Sequence, residues 1–225
     1  MASAVSKRVT IDVNDTTRVS GLLEHPAGSK FCLVLAHGAG AGMEHPFMAA
    51  LTHDLAAHDI ATLRYQFPYM ERGEKRTDPP PLCHATVRAA VAAAAQLVAK
   101  VPLIAGGKSF GGRMTSQAQA ITPLPGVHGL AFFGFPLHPP DQPAIDRAAH
   151  LSKIKIPMLF LQGTRDNLAD LALLRPLVAE FKNLATLKVL EAADHSFHVL
   201  VRSGRTDAEV KAELIDAFLA WSTTI

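Results

Sequence analysis

The chain has 225 residues, 48% of them hydrophobic, with a formal net charge of +2 and two cysteines. That size suits one α/β domain with a core of its own, so a single domain over residues 1–225 is expected. Charge this close to balance, without a long basic run, argues against nucleic acid, and no segment is apolar over the length of a membrane span. Cys32 and Cys83 belong to no CxxC or Cys/His cluster, so neither a metal site nor a disulfide framework is expected. Met1 to Asp15 carries charges where a secretory signal needs an apolar run, which makes the cytosol the expected location.

Taken in chain order, Lys7 to Val13 and Val19 to His25 alternate with period two about the turn-like Asn14-Asp15, predicting an antiparallel hairpin at a sheet edge. From Phe31 the pattern changes to short continuous apolar runs. These are Phe31 to Ala36, Ala61 to Phe67, Pro102 to Gly106, Val127 to Phe135, Pro157 to Gln162 and Ala185 to Leu190. Strands buried on both faces read this way. Helical patterns separate them at Pro46 to His58, His84 to Lys100, Gly111 to Ala120, Asp166 to Phe181 and Thr206 to Trp221. Asp78 to Pro81 and Pro136 to Pro143 read as proline-rich punctuation. Parallel neighbours need crossover connections, so the alternation predicts a mainly parallel sheet of about eight strands, with helices on both faces and an antiparallel N-terminal edge. Ligands then belong at the carboxyl ends of the strands.

Gly106-Gly107-Lys108-Ser109-Phe110-Gly111-Gly112 lies where an apolar strand passes into a helical pattern. A serine raised on so sharp a turn needs glycine at both flanks, and Gly107 and Gly111 supply the clearance. The same residues end a phosphate-loop pattern, but Pro102 stands where its first glycine is needed. A serine hydroxyl is a weak nucleophile and needs a base, itself held in one tautomer by a third group. Asp166 follows the run Pro157 to Gln162, and His195 follows Ala185 to Leu190, so all three side chains fall just beyond strand ends. Asp166 also fits a helix N-cap. Asp194 is a rival acid, poorly placed because it adjoins the base in sequence, and His198 is a rival base.

Attack on a carbonyl leaves charge on oxygen, which calls for backbone N–H donors aimed at it. The amide of Phe110 is one candidate, and Ala39 in the loop His37-Gly38-Ala39-Gly40-Ala41-Gly42 is the other, with Gly40 shaping the loop. A dinucleotide fingerprint over this loop fails at Met43, where a glycine is required. His37, closing a buried strand, reads as a hydrogen-bonded structural histidine. In Arg64 to Arg72, Phe67, Tyr69 and Met70 are candidate apolar walls of a substrate pocket, with ordinary loop packing as the alternative.

Taken together, Leu35 to Gly40, Phe67 to Gly73, Gly106 to Arg113, Gln162 to Asp166 and Asp194 to Phe197 resemble the α/β-hydrolase superfamily. The closer resemblance is to its dienelactone-hydrolase-like branch, grouped with testis-expressed hydrolase-like proteins and the hydrolase-like subunit of the non-specific-lethal chromatin complex. It implies the α/β-hydrolase fold and carboxylesterase-like activity without a cofactor, and it carries a catalytic triad onto Ser109, Asp166 and His195. Dienelactone hydrolases proper use a cysteine where this chain has Ser109. Many relatives insert a cap between the strands ending near Phe135 and beginning near Ile156, whereas here only a short connection with one helix around Asp146 to Leu151 is expected. The expected site is therefore open and shallow, and the expected partner a small-molecule ester or thioester, with a homodimer as an open possibility. A catalytically idle hydrolase fold used as a protein-interaction module is the alternative.

Overall fold

The computed structural model describes residues 6–225, so Met1–Val5 of the stretch read for a secretory signal lie outside the described residues. Strands β1 (Lys7–Asn14) and β2 (Thr17–Glu24) form the expected antiparallel hairpin. Asn14 Oδ1 accepts the Thr16 N–H at 3.0 Å, so the turn sits on Asp15-Thr16, one residue later than expected. There follow β3 (Phe31–Ala36), α1 (Pro46–Ala56), β4 (Ile60–Tyr65), α2 (Pro68–Glu71), α3 (Pro80–Leu97), β5 (Leu103–Lys108) and α4 (Phe110–Ile121). The chain ends with β6 (Val127–Phe133), β7 (Met158–Gly163), α5 (Leu171–Glu180), β8 (Ala185–Leu190) and α6 (Asp207–Ser222).

The eight strands make one sheet in the order β1-β2-β4-β3-β5-β6-β7-β8. The pairs β1-β2 and β2-β4 are antiparallel and the rest parallel. This is the α/β-hydrolase fold without a large cap domain. Between β6 and β7 lies only a short connection with one 3-10 helix, Asp146–Lys153.

Burial on both faces explains why the central strands read as unbroken apolar runs. In β3, Cys32, Val34 and Ala36 pack toward α3 and α4, while Leu33 and Leu35 join a second cluster with Met48 and Leu51 of α1 and Leu214 and Phe218 of α6. In β7, Met158 and Phe160 face the first layer and Leu159 and Leu161 the second. Each large side chain removed from water in this way contributes about 1.5–3 kcal/mol.

Most element ends shift by up to three residues from the sequence reading, and three differences are larger. Helix α3 starts at Pro80 rather than His84, because Pro80 and Pro81 occupy first-turn positions where a missing N–H breaks no helical bond. Helix α5 starts at Leu171, capped by Asp170, whose side chain accepts the Ala172 N–H at 2.8 Å. Asp166 therefore caps no helix. The short α2 occupies what reads in sequence as the loop after β4.

One buried charge pair ties the antiparallel edge to the rest of the sheet. Arg64 of β4 meets Glu24 of β2 at 2.7 Å, with side chains only 6% and 7% exposed. Glu24 also accepts from Thr52 Oγ1, and Arg64 donates to the Met43 carbonyl, so the pair fixes the far end of the loop after β3. Removing one partner strands a buried charge. We predict that Glu24→Ala lowers stability by about 3–5 kcal/mol, read as a drop in the urea midpoint at pH 7 with an unchanged m-value. An unchanged midpoint would contradict this reading of the pair.

Candidate active site

Strand β5 ends at Lys108 and α4 begins at Phe110, so Ser109 alone reverses the chain, at φ +50° and ψ −116°. Such a backbone is costly for a residue with a Cβ, by about 1–3 kcal/mol, and it persists because its surroundings leave no alternative. A Cβ on Gly107 would lie 2.6 Å from the Gly111 carbonyl carbon and 2.7 Å from Ala36 O, and one on Gly111 would lie 2.6 Å from Ala36 O. Only glycine at both positions lets β5, α4 and the end of β3 approach this closely.

Ser109, Asp166 and His195 meet at the carboxyl ends of β5, β7 and β8. The Ser109 hydroxyl donates to His195 Nε2 at 2.8 Å, and His195 Nδ1–H donates to Asp166 Oδ2 at 2.7 Å. The Asp166 side chain is fully buried and that of His195 is 21% exposed. Asp166 Oδ1 accepts the Leu168 N–H at 2.8 Å, and Oδ2 also accepts from the Gln162 amide. With both carboxylate oxygens engaged, the acid has one orientation, and the imidazole is held with Nε2 as acceptor.

The acid and base loops are laced together. Arg165 N–H donates to Ala193 O at 2.9 Å, Thr164 N–H to Leu190 O at 3.1 Å, and Ala192 N–H to Thr164 Oγ1 at 2.8 Å. The rivals named from the sequence are committed elsewhere. Asp194 Oδ1 accepts from the amides of Ser196 and His198, and exposed His198 pairs with Asp207 at 2.9 Å, which raises its pKa.

Gln162 is a residue that reading the sequence passed over. It is fully buried, accepts the Phe135 N–H at 2.9 Å and donates to Asp166, so it fixes the acid from behind. The available signal was a polar residue closing a strand buried on both faces, where every polar atom needs a partner.

Beside Ser109, the backbone N–H groups of Phe110 and Ala39 donate to no protein acceptor among the described residues. Gly40 shapes the loop at φ +71°, but its N–H donates to the Tyr69 hydroxyl at 3.1 Å, which removes it as an oxyanion donor. His37 holds the same loop from below: Nδ1–H donates to Gly38 O at 2.7 Å, and Nε2 accepts the Phe67 N–H at 3.0 Å. Burial lowers its pKa to about 4, keeping the ring neutral and both bonds intact at neutral pH.

The proposed apolar walls need correction. Phe67 and Tyr69 are fully buried and pack edge-on around the Phe110 ring, while half-buried Met70 lies against Gly42. Phe67 and Tyr69 thus support the loop and elbow from the core, and ordinary packing is the reading that holds. The pocket over Ser109, about 360 Å³, is walled instead by Ala41, His45, Phe47, Met48 and Leu168. Helix α1 supplies much of that wall, which no pattern near Ser109 could reveal.

No groups of three or more His, Cys, Asp or Glu with metal-holding geometry occur among the described residues. No described helix is long and apolar enough to cross a membrane.

A neutral buried His37 makes stability depend on pH. The unfolded chain takes up its proton near pH 6.5 and the folded chain only near 4, so stability is lost as pH falls through that window. Between pH 7 and pH 5 the expected loss from this residue is on the order of 2 kcal/mol. Urea unfolding at the two pH values, in wild type and His37→Gln, measures it: the variant should lose less stability on acidification, and an equal loss in both would contradict the assignment.

Comparison with known proteins agrees with this fold. Residues 29–223 match the alpha/beta hydrolase domain family. Among solved structures, an α/β serine hydrolase without a lid from Xanthomonas campestris superposes with a TM-score of 0.74 at 16% identity, covering 96% of this chain and 94% of that one. Dienelactone hydrolase from Anabaena variabilis gives 0.76 at 18% identity, with 97% and 99% covered. The esterase domain of a Rhodothermus marinus protein gives 0.71 at 16% identity, with 97% and 98% covered. At such identities these neighbours speak for the fold, and the family match extends over most of the sequence: the chain belongs to the alpha/beta hydrolase domain family.

Proposed function

We propose that the protein is a serine hydrolase that cleaves a small carboxylic ester or thioester through an acyl-enzyme. The observation that carries this reading is the unbroken hydrogen-bond chain Ser109–His195–Asp166, whose serine and histidine line a pocket together with Ala39, while the amides of Ala39 and of Phe110, next to Ser109 in the chain, donate to no acceptor among the described residues.

Ser109 Oγ attacks the carbonyl carbon while His195 Nε2 takes its proton, and the buried Asp166 carboxylate stabilises the imidazolium that forms. The negative oxygen of the tetrahedral intermediate faces the N–H groups of Phe110 and Ala39, at the N-terminus of α4 where the helix dipole also favours negative charge. His195 returns the proton to the departing alcohol or thiol. Water, deprotonated by the same ring, then releases the carboxylic acid and restores Ser109. These steps need no cofactor.

A pocket of about 360 Å³ with walls from Ala41, Phe47, Met48 and Leu168 favours a short apolar acyl group. The short β6–β7 connection leaves it open to solvent. Within the family, the long motifs around Ser109 and His195 support a place in the branch grouped with the testis-expressed hydrolase-like proteins. Two free buried thiols, Cys32 and Cys83, fit a cytosolic location.

A fluorophosphonate probe should label the protein on Ser109 and nowhere else, and Ser109→Ala should abolish both labelling and turnover. Asp166→Asn, which keeps the geometry but loses the charge and the tautomer control, should lower kcat on p-nitrophenyl acetate by roughly 10⁴. Absence of labelling on folded wild-type protein would overturn the proposal in favour of an idle fold used for binding.

A further inference from the structure

Lys108 is the residue directly before the proposed nucleophile, and no step above uses it. Its half-buried side chain lines the pocket over Ser109 and runs beneath the base loop, where Nζ donates to the backbone carbonyl of His195 at 2.6 Å and lies 5.3 Å from the centre of the Phe197 ring. It passes Gly134 at the end of β6, where a Cβ would come within 2.9 Å of Nζ. It makes no ion pair among the described residues. A charged head drawn out of bulk water onto a carbonyl and an aromatic ring is costly unless those contacts have a use, so the charge calls for an explanation.

We propose that Lys108 is a positioning residue, whose ammonium clamps the His195 backbone to the end of β5 and so holds the imidazole on the hydroxyl of Ser109. The inference rests on the serine-hydrolase reading above. Base and nucleophile are then joined twice: through ring and hydroxyl, and through the His195 carbonyl to the residue preceding Ser109 in the chain. A charge-assisted bond to a carbonyl is stronger than one from a neutral amine, so the clamp weakens when Lys108 loses its proton. Burial lowers its pKa to about 8, while the carboxylates of Asp166 from the acid loop and Asp194 from the base loop oppose that change. The other titratable groups facing it across the pocket are the rings of His195 and, from the start of α1, His45. The clamp is thus closed at neutral pH and opens as pH rises past about 8.

The test is the pH dependence of kcat on p-nitrophenyl acetate from pH 6 to 10, together with the rate of fluorophosphonate labelling, which reads the activation of Ser109 without turnover. Both should decline above about pH 8 in wild type. Lys108→Met should lower kcat roughly tenfold at pH 7 with KM unchanged and should lack the alkaline decline. Lys108→Arg should recover kcat and hold it to pH 10, since a guanidinium does not titrate there. A Lys108→Met protein with wild-type kcat and the same alkaline decline overturns the proposal, as does a raised KM with unchanged kcat, which would make Lys108 a substrate contact. If Lys108→Met does not fold, Lys108→Gln takes its place, and a labelling rate equal to that of wild type at pH 7 overturns the clamp. Wild type unlabelled at every pH overturns the serine-hydrolase reading along with it, whereas normal wild-type labelling at pH 7 with an equal rate in Lys108→Met or Lys108→Gln overturns the clamp alone.

Discussion

At the junction of β5 and α4 three backbones meet with no space for a side chain between them. The carbonyl end of β3, the last turn of β5 and the first turn of α4 come so close that only Gly107 and Gly111 fit, and the residue between them is driven to a positive φ. The rest of the site follows from this crowding. Ser109 is lifted out of the sheet toward the rim, the next amide, that of Phe110, opens the helix without a helical partner, and the loop after β3 is brought alongside with Ala39 next to the serine. Crowding of this kind is sustained by the burial around it, since Phe110 is wedged among Phe67 and Tyr69.

The same economy of space governs the other two side chains. The turn after β7 passes so close to the base loop that a Cβ on Gly163 would lie 2.2 Å from the Ala193 carbonyl oxygen. Backbone hydrogen bonds then lace one loop to the other, so the loops carrying Asp166 and His195 are joined through main chain as well as side chains. Beneath them, Gln162 and neutral His37 satisfy polar atoms that burial would otherwise leave unpaired, and each holds its loop in one conformation. The exposed rim carries the proposed chemistry while the buried polar groups below it supply its rigidity.

Much of this was legible from residues alone, for identifiable reasons. Strands β3 and β8 have the bounds that their apolar runs suggest, and the elbow glycines and two loop positions after strand ends were visible because each is local in the chain. What stayed hidden depends on distant segments. The prolines opening α3 look like punctuation until the helix behind them is seen. Asp166 reads as a cap because a helical pattern follows it, yet the helix begins five residues later, at Leu171, with Asp170 as its cap. Phe67 and Tyr69 look like pocket walls because they are aromatic and follow a strand, yet they point inward, and helix α1 supplies the wall instead. Lys108 and Gln162 are single polar residues at strand ends, and only the loops that fold over them give them a task.

The proposed chemistry requires that a negative oxygen formed on attack by Ser109 rest between the amides of Phe110 and Ala39. A crystal structure of the protein after reaction with a phosphonate tests it directly, because the phosphoryl oxygen stands in for the tetrahedral oxyanion. The expected result is a covalent bond from phosphorus to Ser109 Oγ, with that oxygen about 2.7–3.1 Å from the amide nitrogens of both Phe110 and Ala39. An adduct on another residue, or a phosphoryl oxygen turned to solvent with both amides vacant, would contradict it.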